Sequence, residues 1–416
     1  MKKVNHRFLL VLMYACSVVL SSFLIFSCFI PTQEQKEAEK AEEISRPTVL
    51  SSTNEWVNGN FTKEGQVKKY TLHVTKGTRY FIYLNDCDDG DSTKTADVGM
   101  KISHDDGTEI CKNYDDTDKC YSSPFTFSAS NNGIVTISVA AYRSGYGNGW
   151  ETGTGTYAIK YNSRPEYYIL DKEHWEETWF EDIVVSRSQT NKYIIPATEK
   201  TRYFIYLEDV DAGNAMTQKT ADIGLKILFS DGTYVCNDYN DTSNCFSSPF
   251  TFVNTSSNTI TIIAAAYLSG YSNGWETGTG TYALKYTTRP ESDELPAGKW
   301  VDDTIISRGQ INKYTINVNK GKRYNIFLDD IDAGSSITEK TANMGLNIYY
   351  TRESNATNPI ICDNYNDTSN CYNNPYTFTA PSDGTIVLAA AAYLSGYSNG
   401  WGTGTGTYAI KYTVVE

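Results

Sequence analysis

The chain is expected to be all-β, with three tandem β-sandwich domains of jelly-roll-like form behind a signal peptide and a flexible tether, and three observations predict this. A run at Ala141 to Tyr161, AYRSGYGNGWETGTGTYAIKY, returns as AYLSGYSNGWETGTGTYALKY at Ala266 to Tyr286 and as AYLSGYSNGWGTGTGTYAIKY at Ala392 to Tyr412. Its Trp residues, Trp150, Trp275 and Trp401, fall 125 and 126 residues apart. Stacked solenoid units repeat every ~20–50 residues, so this period is that of a whole small domain. Between these runs apolar and polar residues alternate, and no 3.6-residue periodicity is sustained outside the leader and tether. Finally, 32 Tyr and 30 Gly among 416 residues, with Thr, Ser and Asn filling much of the rest, suit short twisted strands joined by turns.

Residues 1–28 have the layout of an export signal: Lys2, Lys3 and Arg7, then an apolar run from Phe8 to Phe26. An apolar segment that stops at a Cys and passes into a polar stretch resembles a bacterial lipoprotein signal, with Cys28 as the acylated residue. Ile25 and Phe26 are bulkier than the small residues usual there, which is similar to the permissive lipoboxes of spirochaetes. Cleavage before Cys16 would leave SVVLSSFLIF in the mature chain, and an apolar run of about 19 residues would also just suffice for an uncleaved anchor. Each reading exports the protein. PTQEQKEAEKAEE, at 31–43, is charged and lacks aromatic residues, so residues 29–54 are expected to form a flexible tether.

The three copies are placed at 55–162, 175–287 and 298–416. Each opens with a Trp lying 14 residues before a strand Tyr: Trp56 and Tyr70, Trp179 and Tyr193, Trp300 and Tyr314. Arg164-Pro165 and Arg289-Pro290 mark the exits into short charged linkers, since Pro follows an extended residue. In the second copy Tyr203 to Leu207, Ile223 to Ile227, Pro249 to Phe252, Ile260 to Ile263 and Tyr282 to Tyr286 read as strands, with Asp231-Gly232 and Ser269-Gly270 as turns. Seven or eight such strands in about 110 residues make a sandwich. Lys76-Gly77-Thr78-Arg79-Tyr80, then an Asp-bearing loop, then Ala96-Asp97-Val98-Gly99-Met100-Lys101-Ile102, and Gly155 to Tyr161 at the end give an order that resembles the bacterial pre-peptidase C-terminal domain and the related collagen-binding domains. The resemblance spans all three copies and implies exported β-sandwiches. Such domains are usually appended to a protease; no protease motif is present here, so it implies only an accessory binding or spacing role.

Each copy holds one C-x8-C pair: Cys111 and Cys120, Cys236 and Cys245, Cys362 and Cys371. Repeated even pairs in an exported chain favour a disulfide in each domain, free thiols being the alternative. A single pair falls short of a zinc site, and the four His residues do not recur between copies. After the Tyr-rich strand come Asp86 and Asp88, matched by Asp209 and Asp211 and by Asp330 and Asp332, with Asp97 and Asp222 further on. Alternate carboxylates near a Gly offer oxygens to one hard cation, so calcium is the cofactor to test, against ordinary Asx turns. The resemblance adds to this, because collagen-binding domains bind calcium.

Tyr142, Tyr146 and Trp150, repeated as Tyr267, Tyr271 and Trp275 and as Tyr393, Tyr397 and Trp401, lie among Gly, Ser and Asn. Rigid aromatics among small polar residues make low-entropy contact surfaces for a glycan or a protein, or else the loop folds over the sandwich end and plugs it. No H-E-x-x-H motif occurs. A two-carboxylate hydrolase, such as a glycosidase, is an enzyme class that motifs leave open. The formal charge of -13 becomes about -16 once the basic leader is removed, which argues against nucleic acid as a partner. The expectation is therefore a non-enzymatic exported protein, lipid-anchored at the cell envelope, binding an extracellular glycan or protein multivalently, since linked weak sites gain by effective concentration. The alternative is an envelope spacer.

Overall fold

The computed structural model describes residues 47–87, 93–111, 123–142, 150–187, 189–210, 219–236, 248–255, 259–267, 275–331, 340–351, 360–362, 374–392 and 401–415. Module 1 holds β1 (Thr48–Val49), β2 (Val57–Phe61), β3 (Val67–Val74), β4 (Thr78–Asn85), β5 (Asp97–His104), β6 (Glu109–Cys111), β7 (Phe125–Ser128), β8 (Gly133–Tyr142) and β9 (Gly155–Pro165). Module 2 holds β10 (Tyr167–Ile169), a short helix α1 (Lys172–Trp175), β11 (Phe180–Val184), β12 (Asn191–Pro196), β13 (Thr201–Glu208), β14 (Asp222–Phe229), β15 (Tyr234–Cys236), β16 (Phe250–Asn254), β17 (Thr259–Tyr267) and β18 (Gly280–Pro290). Module 3 holds β19 (Ser292–Glu294), β20 (Val301–Ile305), β21 (Asn312–Val318), β22 (Arg323–Asp329), β23 (Met344–Tyr350), β24 (Ile360–Cys362), β25 (Tyr376–Thr379), β26 (Gly384–Ala392) and β27 (Gly406–Val415).

Every module pairs its strands in one order. In module 1 a sheet β1-β3-β8-β5-β6 faces a sheet β2-β9-β4-β7, and the same order recurs in the other two. Setting the lead-in strand aside, two four-stranded sheets with this alternation of near and distant strands are a jelly roll, as the sequence predicts. Strand alternation builds the core. In β3, Tyr70, Leu72 and Val74 are buried while Thr71 and His73 face outward, and each module gathers its own cluster of inward Ile, Leu, Val and Tyr. Burying one such Ile or Leu contributes about 1.5–3 kcal/mol.

Two features tie the sheets together. The hydroxyls of Tyr70 and Tyr157 meet at 2.7 Å across the module 1 core. Tyr193 meets Tyr282 in module 2, and Tyr314 meets Tyr408 at 2.5 Å in module 3. A buried phenol thus finds a partner on the facing sheet, as a polar group in a core must. The second feature is Gly155, Gly280 and Gly406, which open β9, β18 and β27 at φ +132, +140 and +140. A Cβ at Gly280 would lie 2.6 Å from the Ala221 nitrogen, so backbone geometry and crowding both demand glycine in the GTGTY motif.

The module edges lie further toward the amino end than the residues 55, 175 and 298 read from sequence. β1 falls inside the stretch 29–54 taken as tether, and β10 and β19 fall in stretches taken as linkers. Each lead-in strand pairs in parallel with the following long strand, and the Leu just after it, Leu50, Leu170 or Leu295, is buried in the core. One residue alone, Glu166 or Glu291, joins one module's last strand to the next module's first.

Candidate functional site

The three sequence motifs leave from one end of each sandwich. β4 enters the Asp-bearing stretch, β6 the Cys loop and β8 the aromatic loop, and the antiparallel pairing of β5 with β6 and β8 puts these exits side by side. Much of each motif lies outside the described residues: Asp88, Asp211, Asp332, Cys120, Cys245, Cys371, Tyr146, Tyr271, Tyr393 and Tyr397, as does Cys28. Tyr142 and Tyr267 end β8 and β17.

Of the acidic sets, the first member in each copy caps the neighbouring strand. The backbone N–H of Val98 donates to Asp86 Oδ2 at 3.1 Å, that of Ile223 to Asp209 at 3.1 Å and that of Met344 to Asp330 at 3.0 Å. One carboxylate oxygen is therefore used to lock the loop's start onto β5 or its counterpart. Asp97 and Asp222 open β5 and β14, paired with Tyr142 and Tyr267. Among the described residues no three His, Cys, Asp or Glu side chains are gathered for a metal ion. Cys111 and Cys236 are buried at the ends of the edge strands β6 and β15.

The loop Trp residues are half-buried in all three modules. Lys101 lies 5.1 Å from the centroid of Trp150 and Lys226 lies 4.8 Å from that of Trp275. The Trp275 indole N–H donates to Glu276 at 3.1 Å. In module 3, Asn347 stands in the register of Lys101 and Lys226.

A second aromatic set, on the outer face of the four-stranded sheets, is exposed in all three modules, and sequence reasoning used its Trp residues only as markers of where copies begin. Trp56, Trp179 and Trp300 are 43%, 36% and 45% exposed. Beside each, the Lys of the Tyr-Ala-Ile/Leu-Lys-Tyr motif lies between two rings. Lys160 is 4.6 Å from Trp56 and 4.9 Å from Tyr83. Lys285 is 4.8 Å from Trp179 and 4.6 Å from Tyr206. Lys411 is 4.5 Å from Trp300 and 4.6 Å from Phe327. Cation–π attraction holds the ammonium at the rings, each contact contributing about 0.5–1 kcal/mol at an exposed site. The alternation in β9 gives the signal: if Tyr157 and Ile159 point inward, Lys160 must point out. An exposed indole next to a fixed cation offers a flat apolar face for a sugar ring or a side chain, and a charge for an oxygen beside it.

Comparison with known proteins adds no family. No family model matches the chain, and no curated protein matches it. Solved structures with some likeness include the CUB1-EGF-CUB2 domain of human MASP-1/3, at 12% identity and TM-score 0.16, covering 56% of this chain and 100% of that one. The full extracellular region of zebrafish Gpr126/Adgrg6 follows at 9% identity and TM-score 0.17, covering 89% and 57%. Tripeptidyl peptidase 2 has 10% identity and TM-score 0.15, covering 88% and 32%. At TM-scores this low none of these carries an argument. Among the described residues no helix is long and apolar enough to cross a membrane.

Proposed function

We propose that the chain is an exported, lipid-anchored envelope protein, without enzymatic activity, whose three modules of pre-peptidase C-terminal type bind an extracellular glycan or protein at several points at once. The observation that carries this reading is the Trp, Lys and aromatic cluster, exposed at the same register of all three modules. A side chain that only packs does not need to remain 36–45% exposed three times over, and a weak site gains most from being repeated on one chain. The half-buried Trp of each aromatic loop supplies a second contact set. A disulfide closing each Cys loop and calcium at the Asp sets belong to the same proposal. The test is capture of the full chain on a glycan array and on immobilised extracellular matrix proteins, compared with a Trp56→Ala, Trp179→Ala, Trp300→Ala variant. Retained capture by a folded triple variant refutes the role of this cluster. A second reading, a spacer that holds something away from the membrane, is favoured by the single-residue connections Glu166 and Glu291, and stands if neither surface captures the parent chain.

A further inference from the structure

The two junctions between modules use the same residues. Both terminal nitrogens of Arg164, near the end of β9, donate to Asp182 on β11 at 2.6 Å. At the second junction both terminal nitrogens of Arg289 donate to Asp303 on β20 at 3.1 Å. A second Arg, on the neighbouring strand, reaches a backbone carbonyl of the next module: Arg79 that of Thr190, and Arg202 that of Ile311 at 2.7 Å. The Arg164 guanidinium also lies 4.9 Å from the Tyr168 ring, where the second junction has Asp293 bonded to Arg289 at 2.5 Å. Asp182 and Asp303 in turn accept from Tyr193 and Tyr314 at 2.5 Å, which ties each junction to the core behind it. Phe81 and Phe204, which share the outward register with Arg79 and Arg202, are only 4% exposed and belong to neither core. Their burial marks these faces as covered.

The two outer faces depart from this set at the same positions. On the leading face of module 1, Gly59 pairs with Tyr157 where Asp182 pairs with Tyr282 and Asp303 with Tyr408. The space is gone as well, because a Cβ on Gly59 would lie 2.3 Å from the Tyr157 ring. Lys63, exposed, stands for the buried Ser186 and Ser307, and Lys68 for the buried Asn191 and Asn312. On the trailing face of module 3, Val415 pairs with Arg323 where Arg164 pairs with Arg79 and Arg289 with Arg202. Asn325 replaces Phe81 and Phe204. Module 1 thus lacks the acceptor and gains cations, while module 3 lacks one donor and the apolar side chain.

We infer that one repeated Arg-on-Asp clasp docks the three modules head to tail into a stiff rod, and that its outward faces are altered at the clasp positions so that a second copy of the chain does not dock end to end. A head-to-tail interface left complementary at both ends would propagate into a filament, and end units with changed outer faces are how stacked repeats stop.

The first experiment is digestion of the full chain with a Glu-specific protease, which reads exposure of Glu166 and Glu291. An Arg79→Ala, Arg164→Ala variant is expected to be cut after Glu166 at least about tenfold faster than the parent, the factor set by a contact of about 1.4 kcal/mol. Arg202→Ala, Arg289→Ala should do the same after Glu291, with circular dichroism unchanged in both. Equal rates in parent and variants overturn the clasp. The second experiment restores the ends. One chain carries Gly59→Asp, Phe61→Val, Lys63→Ser and Lys68→Asn, and another carries Asn325→Phe and Val415→Arg. By light scattering the parent and each edited chain alone are expected to keep the monomer mass, and the mixture to form a one-to-one pair up to about millimolar concentration, the effective concentration a short tether supplies. End-to-end association of the parent, or none in the mixture, overturns the altered ends.

Discussion

Raising the pH through 10 is expected to unfold the modules because of the tyrosine pairs between their sheets. In modules 2 and 3 the pairs Tyr193 with Tyr282 and Tyr314 with Tyr408 are buried, and a carboxylate, Asp182 or Asp303, already accepts from one phenol. Burial first, and these neighbours next, raise all four phenols above their ordinary value of 10. A pKa raised in the folded state means that this contribution to stability is complete below pH 10 and is lost as the pH rises beyond it. Each phenol costs about 1.4 kcal/mol per pH unit, so a pair costs about 2.7 per unit, or about 5 kcal/mol by pH 12. That matches the lower end of the ~5–15 kcal/mol by which ordinary domains are stable. Arg202 works in the opposite direction. Burial first, and the adjacent Arg289 next, lower the Arg202 guanidinium from its ordinary value. The decisive quantity is therefore a difference between chains. Denaturant melts followed by circular dichroism from pH 8 to 11.5 should show parallel curves for module 2 below pH 10 and, above it, a slope about 2.7 kcal/mol per unit flatter in a Tyr193→Phe, Tyr282→Phe variant than in the parent. Identical slopes would refute the reasoning. So would tyrosinate absorbance at 295 nm that rises fully around pH 10 while the near-ultraviolet dichroism of the fold persists.

Gly280→Ala should destabilise module 2 by about 3 kcal/mol or more, since a forced backbone conformation and a clash coincide there. Gly232→Ala, at φ +84 with nothing within 4 Å of the added carbon, should cost only about 1 kcal/mol; calorimetry that gives equal losses argues against the crowding. Asp209→Ala should cost about 1.5–3 kcal/mol by stranding the Ile223 N–H. Adding calcium and then EDTA to parent and variant reads the cation expectation in the same melts: a calcium-dependent rise in the parent, absent in the variant, is the expected pattern. In ligand capture, one Trp→Ala change should weaken binding modestly and the triple change by about 10²–10⁴-fold, as lost avidity requires; equal losses from single and triple changes would place binding in one module.

The jelly roll was legible because alternation such as Tyr70, Leu72, Val74 needs no knowledge of partners, and because three copies of the GTGTY run mark the same strand start. The lead-in strands were not legible. β10 has only three pairing residues and β19 reads Ser-Asp-Glu, and their place in the sheet depends on backbone pairing and on the Leu behind them, neither of which leaves a periodic trace. The aromatic loop and the Asp and Cys pairs were found by repetition alone. The exposed Trp cluster was missed although both its parts were in view, because only the register of β2 on β9 sets Trp56 beside Lys160. The clasp escaped for a related reason. Arg164-Pro165 has the look of a chain leaving a domain, whereas Arg164 is still in β9 and reaches Asp182, which looks like any surface acid until the two modules are seen together.

That one residue separates consecutive sandwiches also bears on what such a chain would discriminate. Where a long loose tether lets each head search for its own target, Glu166 and Glu291 leave no slack, and the interval from one Trp cluster to the next is set by folded protein. A partner patterned at that interval would engage all three heads with little further loss of chain entropy. A partner with any other pitch would be met by one head at a time, so under the proposed binding role periodicity itself would become something the molecule selects.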